Sequence, residues 1–443
     1  MTSLLIHGRR IIDPDSGTDA TGDLLIRNGC IEAISTDSPL PRDADSSIDA
    51  DGCLVTPGLV DPHVHLREPS NGQPHRETIA IGSRAALAGG FTTICSMPNT
   101  QPPPDTADRI KDLVSRGKMA NAARVYPIAC GTMNRAGEEA TDVQKLIDAG
   151  AQGISDDGDG VACDAVMDTI LQRVAAADTC FMQHCQDPTM TLGAAMNAGA
   201  LAVRMGLGEW PPAAETSMIE RDVLLNGKHG ARYHAQHLSC SKSVDVIRKA
   251  RAEGQTVTAE ASPHHLLLTE EACEGYNTIA KVNPPLRTSQ DIDAIKEGIA
   301  QGVITILATD QAPHPPQAKE TDFASAAFGM VSIECALPLY KRALVDEGVI
   351  EWSRLIAMMT CEPANLVGLP EAGRLRMGGP ADVTLIDPDL EWTIDSSTFL
   401  TTGRNCPFDG WSVSGRALAS IIAGEVRWAL PGARMEQTAI AGH

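Results

Sequence analysis

The sequence predicts a (β/α)8 TIM barrel with a small β-sandwich-like domain built from both ends of the chain. Two observations favour this fold. Short apolar or β-branched runs alternate with longer segments of helical spacing, and eight such pairs can be counted. The two flanks instead contain short alternating segments with glycine-bearing turns. We expect the small domain to comprise residues 1–56 and 371–443, and the barrel to span residues 57–370.

The barrel strands are predicted where apolar residues cluster in short runs. These runs are 53–64, 92–97, 125–129, 151–155, 180–183, 233–238, 256–261 and 304–308. Helical spacing is found between them, for example at 78–88, 166–177, 241–253 and 291–301. Several of these helical segments are followed by glycine, which is typical of a helix end. In such a barrel, functional side chains gather at the C-terminal ends of the strands.

The flanking segments are predicted to pair with each other. Residues 24–29 read LLIRNG, and the Asn28-Gly29 pair is a strong signal for a hairpin turn. Short strand-like segments return at 381–387 and 419–426, after the glycine-rich residues 377–380. We therefore expect the N-terminal and C-terminal strands to form one small β domain beside the barrel.

Composition excludes several classes of function. The chain has 443 residues, of which 43% are hydrophobic, and 36 Lys plus Arg against 57 Asp plus Glu give a net charge of −21. This acidic balance argues against binding to nucleic acid or to anionic membranes. The 12 cysteines include no C-x-x-C pair, and no apolar run approaches the ~20 residues of a membrane helix. The first residues lack a secretory signal pattern, so we expect a cytoplasmic protein with free thiols.

The strongest chemical signal is the segment DPHVHLREP at residues 61–69. Side chains two apart in a strand point to the same side, so His63 and His65 can bind one metal ion through neutral imidazole nitrogens. Arg67 follows directly and can bind an anion. Two histidines on a half-buried strand, with no metal, are the alternative interpretation of this pair alone.

Other predicted strand ends carry residues of the same kind. They are Asp156 and Asp157 in SDDG (155–158), His184, His237 and Asp310. Imidazole nitrogen and carboxylate oxygen suit zinc, which in catalytic sites keeps one position open for water. A single histidine is usually a polar residue with satisfied hydrogen bonds, and either aspartate can cap the next helix. The agreement of several independent strand ends favours a metal site.

Six segments of the chain resemble those of the dihydroorotases of the amidohydrolase superfamily, in the shorter-loop class common in bacteria. They are DPHVHLREP (61–69), GGFTTICSMPNT (89–100), SDDG (155–158), SPHHLLL (262–268), KVNPPLR (281–287) and TDQAPH (309–314). The whole superfamily shares the H-x-H pair and the late aspartate. The LREP, MPNT and NPPLR segments are narrower, and they distinguish dihydroorotases from hydantoinases and allantoinases.

The resemblance implies six zinc ligands. These are His63, His65 and Asp310 on the more buried ion, His184 and His237 on a second ion, and Asp156 as the bridge between them. Many relatives use a carboxylated lysine as the bridge, but no lysine stands at this strand end. Asp157 is the alternative bridging residue, and one zinc ion is the alternative to two.

The reaction that the resemblance implies is the reversible cyclisation of N-carbamoyl-L-aspartate to L-dihydroorotate in pyrimidine biosynthesis. Zinc lowers the pKa of bound water to ~7, and Asp310 would act as general base and general acid. Arg67, Asn99 and His314 would bind the substrate carboxylate, and Asn283 would contact the ring. The alternative roles are an ion pair between Arg67 and Glu68 and a turn stabilised by Asn99.

Two departures from the family pattern bear on the metal site. Gln311 stands where a histidine is common, and Gln186 stands where an acidic residue is usual. We therefore expect an altered metal affinity or pH optimum. The loop at residues 70–74 contains glycine and proline and is a candidate cover for the site.

The sequence is compatible with two other functions. One is another cyclic amidohydrolase, such as an allantoinase or hydantoinase. The other is a noncatalytic dihydroorotase-like subunit that supports aspartate carbamoyltransferase. We expect a small-molecule substrate, a homo-oligomer and aspartate carbamoyltransferase as the candidate protein partner.

Overall fold

The computed structural model describes residues 3–49, 52–70, 77–432 and 436–439. In these residues, parallel strands at eight successive positions form a barrel. The strands are Leu59–Val64, Phe91–Ser96, Arg124–Pro127 continued by Ala129–Cys130, Ile154–Ser155, Cys180–Gln183, Arg232–Ala235, Val257–Ala261 and Ile306–Leu307. They are short, and their residues are buried except for the half-buried residues 124–126, 232 and 258, as expected for strands that are covered by helices.

The segment after the eighth strand closes the barrel. Val64 at the end of the first strand forms a parallel bridge with Gln311. The next residue, His65, donates its backbone N–H to the Gln311 carbonyl at 2.9 Å. Because all neighbouring strands run parallel, their C-terminal ends lie on one rim, and the candidate residues follow these ends.

The helices lie mostly between consecutive barrel strands. They are Ile79–Ala88, Ala107–Ala120, Val143–Asp148, Asp164–Ala176, Ala200–Met205, Ala213–Asn226, Ser241–Ala252, Pro263–Leu267, Ser289–Ala300, Ala336–Tyr340, Trp352–Met358 and Cys361–Leu366. The four helices predicted from spacing are present, with ends shifted by at most two residues. Thr78 caps the first of them, because its side chain accepts a hydrogen bond from the Ile81 N–H. Within the described ranges, every helix is too short or too polar to span a lipid bilayer.

Strands from the two ends of the chain pair into one nine-stranded sheet. Its members are Ser3–Asp13, Thr18–Arg27, Cys30–Ser35, Ser46–Asp49, Leu54–Pro57, Val383–Thr393, Ser412–Ile422, Glu425–Ala429 and Glu436–Ala439. The predicted turn joins Arg27 to Cys30, and both Asn28 and Gly29 have positive φ, at 50° and 81°. The division of the chain at residues 56 and 370 stays a prediction.

The predicted first barrel strand, 53–64, is wrong in its extent. It consists of two strands, Leu54–Pro57 in the nine-stranded sheet and Leu59–Val64 in the barrel, with Gly58 between them. The Gly58 N–H donates to the Asp382 carbonyl at 2.9 Å, while a Cβ at this position would lie 2.0 Å from Thr92 Oγ1. The backbone therefore changes sheets where no side chain can fit. Residues 71–74 of the loop expected to cover the site lie outside the described residues.

Candidate active site

Six ionisable side chains meet at the C-terminal rim of the barrel, and we call them the floor of the site. The floor consists of His63, His65, Asp157, His184, His237 and Asp310. All six are buried, with at most 5% of each residue exposed. Buried ionisable groups are rare unless they are paired or bind a metal, so this cluster is the prime candidate for chemistry.

Asp157 lies at the centre of the floor. Its Oδ1 is 3.4 Å from His63 Nε2 and 3.5 Å from His184 Nδ1. Its Oδ2 is 3.4 Å from His65 Nε2, and its Oδ1 is 3.9 Å from His237 Nε2. Burial alone raises the pKa of Asp157, but the His63 and His65 charges outweigh burial and hold the pKa well below its ordinary value. The floor therefore contains an ionised carboxylate between two pairs of imidazoles.

Asp310 lies beside the first of these pairs. Its Oδ1 is 3.0 Å from His65 Nε2 and 3.5 Å from His63 Nε2. Burial raises the pKa of Asp310, but the His63 charge and the hydrogen bond from His65 outweigh burial and lower the pKa below its ordinary value. The group is therefore ionised. Asp310 also has a φ of 48°, a conformation that aspartate adopts at a small energetic cost.

The structure contradicts the choice of Asp156 as the residue among the imidazoles. The Asp156 carboxylate accepts hydrogen bonds from the Gly131 N–H at 2.9 Å, from the Thr132 N–H at 3.1 Å and from the Thr132 hydroxyl. Consecutive side chains of an extended segment point to opposite sides, so only one aspartate of the pair can face the histidines. The Asp156 carboxylate is hydrogen-bonded to the loop after the third barrel strand, so it faces away from the histidines. Asp157 lies at the central position.

Hydrogen bonds outside the floor orient three of its imidazoles. His63 Nδ1 donates to Glu260 Oε1 at 2.5 Å, and His65 Nδ1 donates to Asn99 Oδ1 at 2.9 Å. The Nε2 atom of each ring therefore faces Asp157 and Asp310. His184 Nε2 donates to Gln186 Oε1 at 2.9 Å, and its Nδ1 faces the floor.

His237 completes the second imidazole pair. Its Nε2 is 2.9 Å from His184 Nδ1. Burial, followed by the neighbouring His184, lowers the pKa of His237 to about 3. This imidazole is therefore neutral at physiological pH and can offer a lone pair.

The floor fits a metal ion on two grounds. The ligand atoms of His63, His65 and Asp157 lie within 4.8 Å of one another, and the same holds for Asp157, His184 and His237. Asp157 Oδ2 is buried and accepts no hydrogen bond from the described residues. A buried anion with an unused oxygen among imidazole nitrogens has the donor chemistry of a transition-metal site.

Four further polar residues line one side of a cavity above the floor, and we call them the polar wall. They are Arg67, Asn99, Asn283 and His314. The cavity has a volume of about 280 Å³ and also reaches five of the floor residues. The polar wall residues are half-buried, whereas the floor is fully buried. The structure thus brings every predicted substrate-binding residue to the same cavity.

Neither alternative role of Arg67 and Asn99 matches the structure. Glu68 does not pair with Arg67: its carboxylate accepts from Arg116 Nη1 at 2.8 Å and from the Ile79 N–H at 2.9 Å. Asn99 binds His65 through Oδ1 instead of stabilising the following turn, and its amide Nδ2 lies near Gly158 beside the cavity. Both residues line the cavity.

The other two residues of the polar wall differ in what they can offer. Asn283 Nδ2 donates to Gln186 Oε1 at 2.8 Å, and Asn283 Oδ1 is buried with no hydrogen-bond partner among the described residues. His314 Nε2 donates to the Phe328 carbonyl at 2.7 Å. Burial, then the Arg67 charge, lowers the pKa of His314 to about 2, so the ring is neutral. The positive charge of the polar wall therefore comes from Arg67.

The two glutamines that depart from the family pattern have different positions. Gln186 contacts His184 and Asn283 directly, so it connects the floor to the polar wall. Gln311 points away: its Oε1 accepts from the Ser332 N–H at 2.9 Å and the Ile333 N–H at 3.1 Å, and its Nε2 donates to Thr401. Its amide holds the closing segment of the barrel and has no contact with Asp310.

Sequence reasoning missed two features of the site. Glu260 on the seventh strand accepts a hydrogen bond from His63. The feature of the sequence that could have indicated this role is the presence of a glutamate within the apolar strand Val257–Ala261. Phe328 and Gly329 line the cavity from a loop that no local pattern marks. A charged residue in a buried strand is a signal that could have been used, because such a charge requires a partner.

The class of protein follows from the fold and from comparison with solved structures. The L-hydantoinase (dihydropyrimidinase) from Arthrobacter aurescens has a TM-score of 0.85 and 28% identity, with 96% of each chain covered. A dihydropyrimidinase from Brevibacillus agri, 23% identical, has a TM-score of 0.83 over 99% of this chain and 97% of that one. The chain therefore has the barrel fold of the metal-dependent cyclic amidohydrolases.

Sequence comparison identifies the family within this class. A family profile described as dihydro-orotase-like matches residues 52–243. A dihydroorotase of Syntrophotalea carbinolica is 42% identical over 427 residues, covering 96% of this chain and 99% of that protein. A dihydroorotase of Geobacillus kaustophilus is 42% identical over 405 residues, covering 91% and 94%. The chain belongs to the dihydroorotase family.

Proposed function

We propose that this chain is a zinc-dependent dihydroorotase that interconverts N-carbamoyl-L-aspartate and L-dihydroorotate. Membership of the dihydroorotase family supports the reaction. The observation that carries the proposal is Asp157, an ionised carboxylate between two imidazole pairs, at the base of a cavity that also holds Arg67. The reaction requires both halves of this arrangement, a metal site for the amide and a cation for the remote carboxylate.

We propose two zinc ions, with Asp157 as the bridging ligand. His63, His65 and Asp310 would hold one ion, and His184 and His237 would hold the other. When bound, zinc supplies Lewis-acid chemistry that acidifies water and polarises the amide carbonyl. Asp157 is ionised and His237 is neutral before any metal binds, as such ligands require. Burial lowers the pKa of His63, but the Glu260 and Asp157 charges outweigh burial and raise it, so zinc would have to displace a proton from that ring.

Asp310 is the proposed proton carrier. In ring opening its carboxylate would take a proton from the attacking water and give it to the ring nitrogen as the amide bond breaks. In ring closure the same carboxylate would take the proton from the attacking carbamoyl nitrogen and return it to the departing water. Its position beside His63 and His65, in the lining of the cavity, supports this role.

The polar wall is the proposed binding site for the carboxylate that does not react. Arg67 can offer two parallel N–H donors to that group. Asn99 Nδ2 can add a third donor, because its Oδ1 is engaged with His65. The free Oδ1 of Asn283 can accept an N–H of the ring or of the carbamoyl group. His314 shapes the cavity as a neutral ring.

Three features of the molecule as a whole belong to the same proposal. The strands paired from both ends of the chain support a small β-sandwich-like domain beside the (β/α)8 barrel. The 12 free cysteines support a cytoplasmic location. We also propose that the chain forms a homo-oligomer and that aspartate carbamoyltransferase is its candidate protein partner.

A substrate comparison tests the function directly. Zinc-loaded protein is assayed with L-dihydroorotate, N-carbamoyl-L-aspartate, dihydrouracil and allantoin, with and without aspartate carbamoyltransferase. We expect turnover of the first two only, because dihydrouracil and allantoin lack the carboxylate that Arg67 would bind. Preference for dihydrouracil or allantoin would favour a hydantoinase or allantoinase. Zinc binding without turnover, even with the transferase present, would favour a noncatalytic subunit.

A further inference from the structure

Glu260 is a buried carboxylate beneath the floor that the proposed mechanism does not use. It lies on the seventh barrel strand and is fully inaccessible to solvent. Its Oε1 accepts from His63 Nδ1 at 2.5 Å and from the His237 N–H at 3.2 Å. Its Oε2 accepts from His234 Nε2 at 3.0 Å. Glu260 therefore contacts one residue from each of the two imidazole pairs.

The contact with His63 fixes the form of that imidazole. An ionised carboxylate only accepts hydrogen bonds, so His63 Nδ1 must carry the hydrogen. Nε2 is then the nitrogen that faces Asp157 and Asp310, and it is the one that a metal ion would bind in place of a proton. A carboxylate behind a ligating imidazole also increases the electron density on the nitrogen that faces the metal.

The contact with His237 acts on the backbone. His237 has a φ of 29°, in the region that residues with a Cβ seldom occupy. Its backbone N–H is held by Glu260, which is anchored on the neighbouring strand. This bond stabilises the uncommon backbone conformation that directs the His237 ring towards His184.

We propose that Glu260 is a positioning residue that couples the two halves of the metal site. One buried carboxylate sets the tautomer of His63 and the backbone of His237, so both proposed zinc ions depend on it. The inference rests on the proposed metal site but assigns Glu260 no contact with substrate or metal. Loss of its charge should therefore weaken zinc binding at both positions without removing any ligand.

Zinc affinity in a Glu260→Gln variant tests this role. Metal-free wild type and variant are titrated with zinc in competition with a chromophoric chelator, and thermal unfolding of both metal-free proteins is measured in parallel. We expect zinc affinity to fall about 10–100-fold at both positions, the usual effect of removing such a partner. Metal-free stability should fall, because glutamine loses the charge that strengthens the bonds from His63 and His234, and the unfolding measurement shows whether the variant is still folded when it is titrated.

His234 offers a matched control, because it contacts Glu260 Oε2 and Thr258 but no floor residue. Zinc affinity of His234→Gln should stay within about threefold of wild type. Wild-type zinc affinity in Glu260→Gln would overturn the inference, as would an equal loss in His234→Gln. If Glu260→Gln does not fold, Glu260→Asp decides, since its shorter side chain withdraws from His63. Weakened zinc binding there supports the inference, and unchanged binding overturns it.

The same titration separates this inference from the proposed function. Wild-type protein that binds no zinc would overturn the metal site itself. Wild-type protein that binds two zinc ions, with Glu260→Gln indistinguishable from it, would overturn only the role of Glu260.

Discussion

The floor and the polar wall of the cavity are held in place in different ways. Floor residues follow the ends of parallel barrel strands, are fully buried and contact one another. Polar wall residues come from separate loops, are half-buried, and are tied to the site by individual hydrogen bonds such as those of Asn99 and Asn283. We therefore expect substitutions in the floor to remove the metal, and substitutions in the polar wall to change substrate binding and leave the metal in place.

The largest expected effect is that of Asp157→Asn in the floor. This variant loses the negative charge between the two imidazole pairs, so we expect less than one zinc ion per chain. The contribution of a metal to catalysis is several kcal/mol, so kcat/KM should fall by at least about 10³-fold. Metal analysis beside steady-state kinetics checks both. Full zinc content in Asp157→Asn would mean that this aspartate is not the bridging ligand.

Arg67→Lys tests the other side of the comparison. Lysine keeps the positive charge but cannot form two parallel hydrogen bonds, so kcat/KM for dihydroorotate should fall about 100-fold. Zinc content should equal that of wild type. Kinetics and metal analysis on the same preparation separate the two regions. Loss of zinc in this variant would show that the polar wall and the floor are not independent.

Asp156→Asn should mainly affect stability. Asparagine can keep an oxygen towards the Gly131 and Thr132 N–H groups, but it loses the charge that strengthens these buried bonds, and its NH2 replaces the oxygen that accepts from the Thr132 hydroxyl. We expect the free energy of unfolding to fall by about 2–4 kcal/mol, with zinc content retained. Chemical denaturation of the zinc-loaded protein measures this. A loss of zinc equal to that of Asp157→Asn, at normal stability, would contradict the separate roles of the two aspartates.

Gln311→His introduces the residue that is common in the family. The histidine would have to replace an oxygen that accepts from both Ser332 and Ile333, so we expect a destabilisation of about 1–2 kcal/mol. The pH profile of kcat should match that of wild type, because the Gln311 side chain binds Ser332, Ile333 and Thr401 and points away from the Asp310 carboxylate. A shifted profile would support the expectation drawn from the sequence that this glutamine tunes the base.

Gln186→Glu should have the smallest effect. Here the side chain does contact an imidazole of the floor, and a negative charge would strengthen the hydrogen bond from His184 Nε2. We expect zinc affinity to rise by less than about tenfold. The same charge keeps an acceptor for Asn283 Nδ2, so the KM for dihydroorotate should change little. Chelator competition and steady-state kinetics check the two results, and weaker zinc binding would contradict this account of Gln186.

Much of the site could be predicted because the fold places it at strand ends. His63 and His65 share a side of one strand, and a parallel barrel brings the later strand ends to the same rim. The contacts of Glu260 could not be predicted, because its partners lie on other strands. The prediction that Asp156 lies among the imidazoles was wrong for a similar reason, because the Gly131 and Thr132 N–H groups that donate to Asp156 come from another loop.

Local periodicity and chain order are enough to predict the barrel, the pairing of both chain ends and the kinds of side chain at the strand ends. The folded structure was needed to show which aspartate faces the imidazoles, which ring nitrogen faces the floor and where the Gln311 side chain points. Those features depend on hydrogen bonds between groups far apart in the chain, and no local pattern encodes their geometry.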